Sequence, residues 1–315
     1  MARLEREIAM LQSRVRFLEQ QPDGRLTSHQ SIVESAGRYT VLHEQVRQQS
    51  LSIVHAESLI SSYKPLTLHQ SPLGCFIRLT RDQGERQRTL RALKMAKMRE
   101  AADYMRARSR FVDLTRSSRQ MDIFEVANGD FISIHWEVNP LEEAPSVRRA
   151  FEEVLYFRET QELSITEKLG VLAIRESDIG DETDDATQKR MVTTYENGAQ
   201  VESNLAVFSH YFEPGELMDQ PSGMLVGDNV DEDELFPYQS SSRIRKDVSS
   251  FELVTECPRE DGPPLVVLVR WAFLRTHYNP HASKGDLSFV ASEGVGPYCD
   301  AMLSSIRERL ALPIP

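Results

Sequence analysis

Cysteine is scarce in this 315-residue chain: Cys75, Cys257 and Cys299 are odd in number, widely scattered, and show neither metal-ligand nor redox spacing. That argues against a disulfide framework and points to reduced, mostly buried thiols, and so to a cytoplasmic protein with the nucleus as the other option. Long apolar runs are missing as well. The longest, Pro263 to Val269, is stopped by Arg270, far short of the roughly 20 residues needed to span a bilayer, so no transmembrane segment is expected. The N-terminus, Met1-Ala2-Arg3-Leu4-Glu5, turns charged at once, without the apolar stretch and small-residue cleavage site of a secretory leader.

Signatures of catalysis and of metal binding are also missing. There is no glycine loop that would cradle phosphate and no nucleophile elbow. His277 and His281 have the spacing that puts two imidazoles on one helical face, but Asn279-Pro280 between them blocks the helix, and the glutamate of a zinc-protease pattern is absent. Asp228, Asp231, Glu232, Asp233 and Glu234 cluster as calcium ligands might, yet Leu235-Phe236-Pro237 interrupts the run where a calcium loop continues. A loop whose carboxylates meet Arg243, Arg245 or Lys246 is expected instead. With no recognisable acid-base pair either, the chain reads as non-catalytic, without cofactor or metal.

What remains is an ordinary globular composition, 40% hydrophobic and 27% charged, able to bury a substantial core. The net charge of -11 conceals a basic stretch, Arg78 to Arg119, with 13 Lys/Arg against 5 Asp/Glu. An acidic remainder repels a phosphate backbone and can pair with these cations internally, so direct nucleic-acid binding is not expected.

Near the N-terminus Leu4, Ile8, Leu11, Val15 and Leu18 alternate spacings of four and three, with β-branched residues at a and leucines at d: the pattern of a parallel two-stranded coiled coil. After the Pro22-Asp23-Gly24 turn, Ile32, Tyr39, Val46, Ile53 and Ile60 recur every seven residues, with Leu42 and Ala56 at d. A homodimer or heterodimer through these helices and an intramolecular hairpin both satisfy the pattern. Residues 1–63 are accordingly read as a helical dimerisation segment, and residues 73–312 as a globular domain.

Within that domain a basic helix carries Leu90, Leu93, Ala101, Tyr104 and Met105, and the period then changes from helical to two. Ile132, Ile134, Trp136 and Val138 alternate with Ser133, His135 and Glu137, behind an Asn128-Gly129 that signals a two-residue hairpin turn. Helical spacing returns at Val147, Phe151, Val154 and Leu155; strands follow at Val171–Arg175, Met191–Tyr195, Val201–Phe212, Met224–Val226, Phe251–Thr255 and Leu265–Leu274. Asn197-Gly198 marks a second hairpin. Val295, Cys299, Met302, Ile306 and Leu310 share one face of a closing helix. Antiparallel strands and a long C-terminal helix predict an α+β class with a curved sheet around that helix.

This order of elements resembles the helix-grip fold of the steroidogenic-acute-regulatory-related lipid transfer (START) domains. The words Cys75-Phe76-Ile77-Arg78-Leu79-Thr80, Glu167-Lys168-Leu169-Gly170, Ile174-Arg175-Glu176, Val201-Glu202-Ser203-Asn204 and Val230-Asp231-Glu232-Asp233-Glu234-Leu235-Phe236-Pro237-Tyr238, followed by Arg243, Arg245, Lys246, Asp247 and Val248, are similar to START-like proteins of oomycetes, a mating-specific family in which many members carry an N-terminal leucine-zipper-like helix. Arg3 is the only cation before Leu4, so the continuous basic helix that would enter a DNA groove is not expected. The resemblance implies a noncovalent binder of a lipid or other hydrophobic ligand; an interaction scaffold or transcription-associated regulator without a ligand is the alternative. Candidate cavity residues are Arg175, Glu202, Asn204, Phe208, Trp271, Met302 and Ile306, with Arg175 and Glu202 as a buried pair that orients a headgroup or as a purely structural ion pair.

Overall fold

The computed structural model describes residues 28–59, 70–179, 185–259, 262–293 and 295–312. The heptads at Leu4, Ile8, Leu11, Val15 and Leu18 lie outside the described residues. The chain divides into two compact units, residues 1–49 and 50–315. The first contributes most of helix α1 (Ser28–Leu59), on which Tyr39, Leu42 and Val46, the a and d positions of the second heptad series, are exposed.

In the second unit a short strand β1 (Arg78–Leu79) leads into the basic helix α2 (Gln83–Ser109), which starts where the Asp82 carboxylate accepts the Glu85 amide at 2.7 Å. Then come β2 (Ser118–Glu125), β3 (Phe131–Pro140), helices α3 (Val147–Glu159) and α4 (Gln161–Leu169), and strands β4 (Leu172–Ile179), β5 (Ala186–Thr194), β6 (Gln200–Phe212), β7 (Ser222–Asn229), β8 (Glu232–Asp233), β9 (Ile244–Cys257) and β10 (Leu265–Thr276). Helices α5 (Lys284–Glu293) and α6 (Val295–Arg309) end the described chain. The separate helices α4 and α5 were not legible as periodic runs, and β5 begins at Ala186, five residues earlier than its apolar alternation suggests.

Eight strands form one curved sheet in the order β2-β3-β10-β9-β7-β6-β5-β4, antiparallel except where β9 leaves β7 and runs beside β6 at Val201 and Glu202. The two Asn-Gly signals do mark hairpins, but each loop is one residue longer than a two-residue turn. In both, the glycine amide returns to the carbonyl three residues back, Gly129 to Val126 and Gly198 to Tyr195, each at 2.9 Å. Both glycines take positive φ, 86° and 83°, the signature of a type I turn closed by a glycine bulge.

Both faces of the sheet are covered. On one, Phe208, Val226, Phe251, Leu253 and Trp271 meet Leu90, Met98 and Tyr104 of α2. On the other, Val207, Leu225, Val254 and Leu268 meet Phe151 and Phe157 of α3 and Met302 and Ile306 of α6. The close seating of α3 depends on Gly223, where a Cβ would fall 2.1 Å from the Phe151 ring. Alternate residues of one strand therefore serve two different cores, which is why each strand reads as a nearly continuous apolar run.

Candidate ligand-binding cavity

The face covered by α3 to α6 is not filled along its whole length. A cavity of about 570 Å³ opens between it and the helices. The inward residues follow the two-residue period: Lys189, Met191 and Thr193 on β5; Val201, Ser203, Leu205 and Val207 on β6; Lys246, Val248, Ser250 and Glu252 on β9; Arg270, Ala272 and Leu274 on β10; and His135 on β3. Arg158, Gln161 and Ile165 from α3 and α4, Phe289 from α5 and Pro297 and Tyr298 from α6 form the opposite wall. Exposed Glu196, Phe289 and Pro297 lie at its rim, while His135, Lys246, Glu252 and Arg270 are buried in its depth.

The polar groups are sorted along the cavity. At one end Arg270 stands directly opposite Glu137 on β3 and Glu252 on β9, so three charges face one another across adjacent strands. Arg270 donates to Glu137 and, at 2.7 Å, to the Cys299 carbonyl oxygen. Glu137 also accepts from Arg119 at 2.7 Å and lies 3.2 Å from His135 Nε2. Burial pushes its carboxyl up, but His135, Arg270 and Arg119 outweigh that and hold it well below the usual carboxylate range. Arg158 reaches down from α3, donating to the Tyr298 hydroxyl at 2.8 Å and standing 3.9 Å from Glu252. Burial raises the Glu252 carboxyl against the pull of Arg158 and Arg270. Its Oε2 finds no hydrogen-bond partner among the described residues.

At the other end of β9 stands Lys246, six residues and so about 20 Å of strand away from Glu252. Its Nζ donates to the Val290 carbonyl oxygen at 3.1 Å, and no carboxylate among the described residues comes within ion-pair distance. Burial alone pushes its ammonium down to about 8. Lys189, also inward, is by contrast paired with Glu159 at 2.6 Å.

His135, Glu137 and Cys299 place their ligating atoms within 4.8 Å of one another. The set does not suit a cation: two guanidinium groups already sit on Glu137, and burial pushes the Cys299 thiol up to about 11, away from the thiolate a metal requires.

The structure sends most of the sequence-predicted site residues elsewhere. Glu202, Asn204 and Phe208 point to the opposite face of β6, toward α2. There Glu202 pairs with Arg190 at 2.6 Å, not with Arg175, and Asn204 donates to Asp233 at 2.9 Å. Arg175 stands opposite the inward Met191 but does not line the cavity, being taken up by Glu162 at 2.9 Å and the Glu159 carbonyl oxygen at 2.7 Å. Met302 and Ile306 pack against α3. Trp271 borders the cavity, but its ring packs at a tilt against Tyr104 of α2, 4.7 Å between centroids. For Glu202, Asn204, Phe208 and Trp271 the reason is parity: with both faces of the sheet covered, residue type does not tell which parity faces a cavity. The useful signal was the polar alternation Lys246, Ser250, Glu252 against apolar Phe251 and Leu253.

The same far face explains the basic helix. Arg86 meets Asp233 and Lys97 meets Asp228 at 2.7 Å, while Arg108 stacks over Trp136. The acidic run from Asp228 to Glu234 is thus neutralised by α2 at Asp228 and Asp233 and by Arg78 of β1 at Glu232 and Glu234, with Arg245 4.0 Å from Asp231 and Lys246 turned away into the cavity.

A curved antiparallel sheet closed over a C-terminal helix defines the architecture. The chain has a helix-grip fold. No family model and no curated protein matches the sequence. Solved structures with some likeness include the lipid transfer and protein localization domain of human StarD13, at 14% identity and a TM-score of 0.37, covering 70% of this chain and 98% of that one. Truncated norcoclaurine synthase from Thalictrum flavum follows at 12% and 0.32, covering 62% and 99%. The di-domain ARO/CYC BexL of the BE-7585A biosynthetic pathway gives 10% and 0.30, covering 74% and 63%. At these scores the likenesses carry no argument about ligand or activity.

Proposed function

We propose that this helix-grip chain is a START-like, non-catalytic protein that holds a lipid or other hydrophobic small molecule in the cavity between the sheet and helices α3 to α6. The observation that carries the reading is the cavity itself. Its volume, about 570 Å³, falls in the range of small-molecule sites, and Ile165, Leu205, Val207, Val248, Ala272 and Leu274 supply apolar wall between the hydroxyls of Thr193, Ser203 and Ser250 and the charged groups. Each 100 Å² of apolar ligand surface withdrawn from water contributes about 2.5 kcal/mol before the costs of ordering. Binding without chemistry is favoured because Arg270, Arg158 and Lys189 are tied to Glu137, Tyr298 and Glu159.

The exposed Tyr39, Leu42 and Val46 on α1 support dimerisation through the N-terminal helices, with residues 1–63 as the dimerising part and 73–312 as the binding domain. The sequence words shared with oomycete START-like proteins, the scattered thiols and the missing apolar spans support a cytoplasmic member of that group. Among the described residues no helix is long and apolar enough to cross a membrane.

The test is solvent extraction and mass spectrometry of the purified full chain, followed by re-binding to Leu205→Trp, which fills the cavity. A co-purifying amphiphile that the variant no longer retains is the expected result. Empty wild-type protein that also takes up nothing from a panel of lipids would overturn the reading.

A further inference from the structure

We propose that Lys246 is the anchor for an acidic group on the ligand, so that the occupant of the cavity is an amphiphile with a single carboxylate. This rests on the reading of the cavity as a ligand site and goes beyond it by naming the ligand's polar end. Four cationic side chains line the cavity, and three have partners: Arg158 on Tyr298, Lys189 on Glu159 and Arg270 on Glu137. Lys246, a residue only 8% exposed, alone faces the space with one backbone acceptor and no carboxylate in reach among the described residues. An ammonium has three donors, so two of its three N–H groups are left for whatever enters.

A buried ammonium without a counter-ion is costly, and a ligand carboxylate offsets that cost where a hydroxyl offsets only part of it. One unpaired positive charge matches one negative charge. Between Lys246 and Glu252 the wall is formed by Val248, Leu205, Ala272 and Leu274, with Ser250 on β9 and Ser203 on β6 as small neutral hydroxyls and no further charge on β9, which suits a mostly apolar body running away from the acid. The far end, at Arg158, Tyr298 and Glu252, is already charge-paired and does not call for a second anion.

The experiment is titration calorimetry of the full chain at pH 6.5 with decanoate, decan-1-ol and decyl phosphate, on wild type, Lys246→Met and Lys246→Arg. Decanoate is expected to bind the wild type about tenfold or more tightly than decanol. Lys246→Met should reduce decanoate to the affinity of decanol while leaving decanol within about threefold, and Lys246→Arg should keep the preference for the acid. Decanoate and decanol binding the wild type equally, or a preference that survives Lys246→Met, would refute the anchor while the cavity reading stands. Decyl phosphate binding tighter than decanoate would refute the assignment to a carboxylate. If none of the three binds, the cavity reading itself fails, and the anchor with it. The acid-alcohol comparison on wild type decides the matter even where Lys246→Met does not fold.

Discussion

Arg86 and Asp233 form a two-pronged ion pair, with Nη1 to Oδ1 at 2.8 Å and Nη2 to Oδ2 at 2.9 Å, and both side chains are almost wholly buried between α2 and the short strand β8. Asn204 and the amides of Leu235 and Phe236 complete the carboxylate's shell. A buried pair contributes little against an apolar replacement of the same shape, but breaking it leaves a bare charge. Asp233→Ala is therefore expected to cost about 3–5 kcal/mol in denaturant unfolding, and Arg86→Met with Asp233→Leu distinctly less than the sum of the singles. Additive single effects would show that the pair is not coupled.

The same carboxylates set the acid limit of the fold. Burial works to raise Asp233, but Arg86, Asn204 and the Phe236 amide lower it further, and Glu137 is held down in the same manner by His135, Arg270 and Arg119. A carboxyl whose folded value is depressed contributes stability that is complete above its unfolded value and lost as pH falls toward the folded one. Urea midpoints should thus hold steady from neutrality to about pH 5 and fall below about pH 4, the unfolded carboxylate range. Glu137→Gln should flatten part of that fall.

Packing of α3 on the sheet offers an independent test. With a Cβ at position 223 only 2.1 Å from the Phe151 ring, Gly223→Ala requires the helix or the ring to move. Overpacking of this kind costs about 1–3 kcal/mol. Gly223→Ala combined with Phe151→Leu should recover part of the loss that each change causes alone, read from thermal midpoints; strictly additive losses would mean that the ring already has room.

Much of the fold was legible because local patterns and tertiary structure agree. Both Asn-Gly turns, the alternating strands from Ile132 to Val138 and the amphipathic stripe ending at Ile306 each had one sensible structural solution. The cavity was not legible in the same way. Glu202 and Asn204 look like polar residues placed inside an apolar strand, and so they are, but they are buried on the far face, where Glu202 meets Arg190 of the neighbouring strand and Asn204 joins Asp233, whose own cation, Arg86 of α2, lies over a hundred residues earlier in the chain. Nothing local on β6 distinguishes that face from the one holding Ser203 and Leu205. Lys246 was visible only as one cation in the group Arg243, Arg245, Lys246; its parity, opposite to that of its neighbour Arg245, is what separates a surface charge from one in the cavity.

The last prediction concerns that lysine in the unliganded chain. Its folded value of about 8 lies below the ordinary lysine value of about 10.4, so between these the unfolded chain binds more protons than the folded one. Stability attributable to this residue therefore rises with pH across that window, while below about pH 8 the full cost of the buried ammonium is present, on the order of 3 kcal/mol. Lys246→Met removes that cost without leaving a hole of much size. The variant should be more stable than wild type at pH 7, and the difference should shrink as pH approaches 10, measured as paired guanidinium unfolding curves so that tyrosine and cysteine titrations cancel. A variant that is less stable at pH 7, with a gap insensitive to pH, would mean that Lys246 has a counter-charge in solution and is not waiting for one.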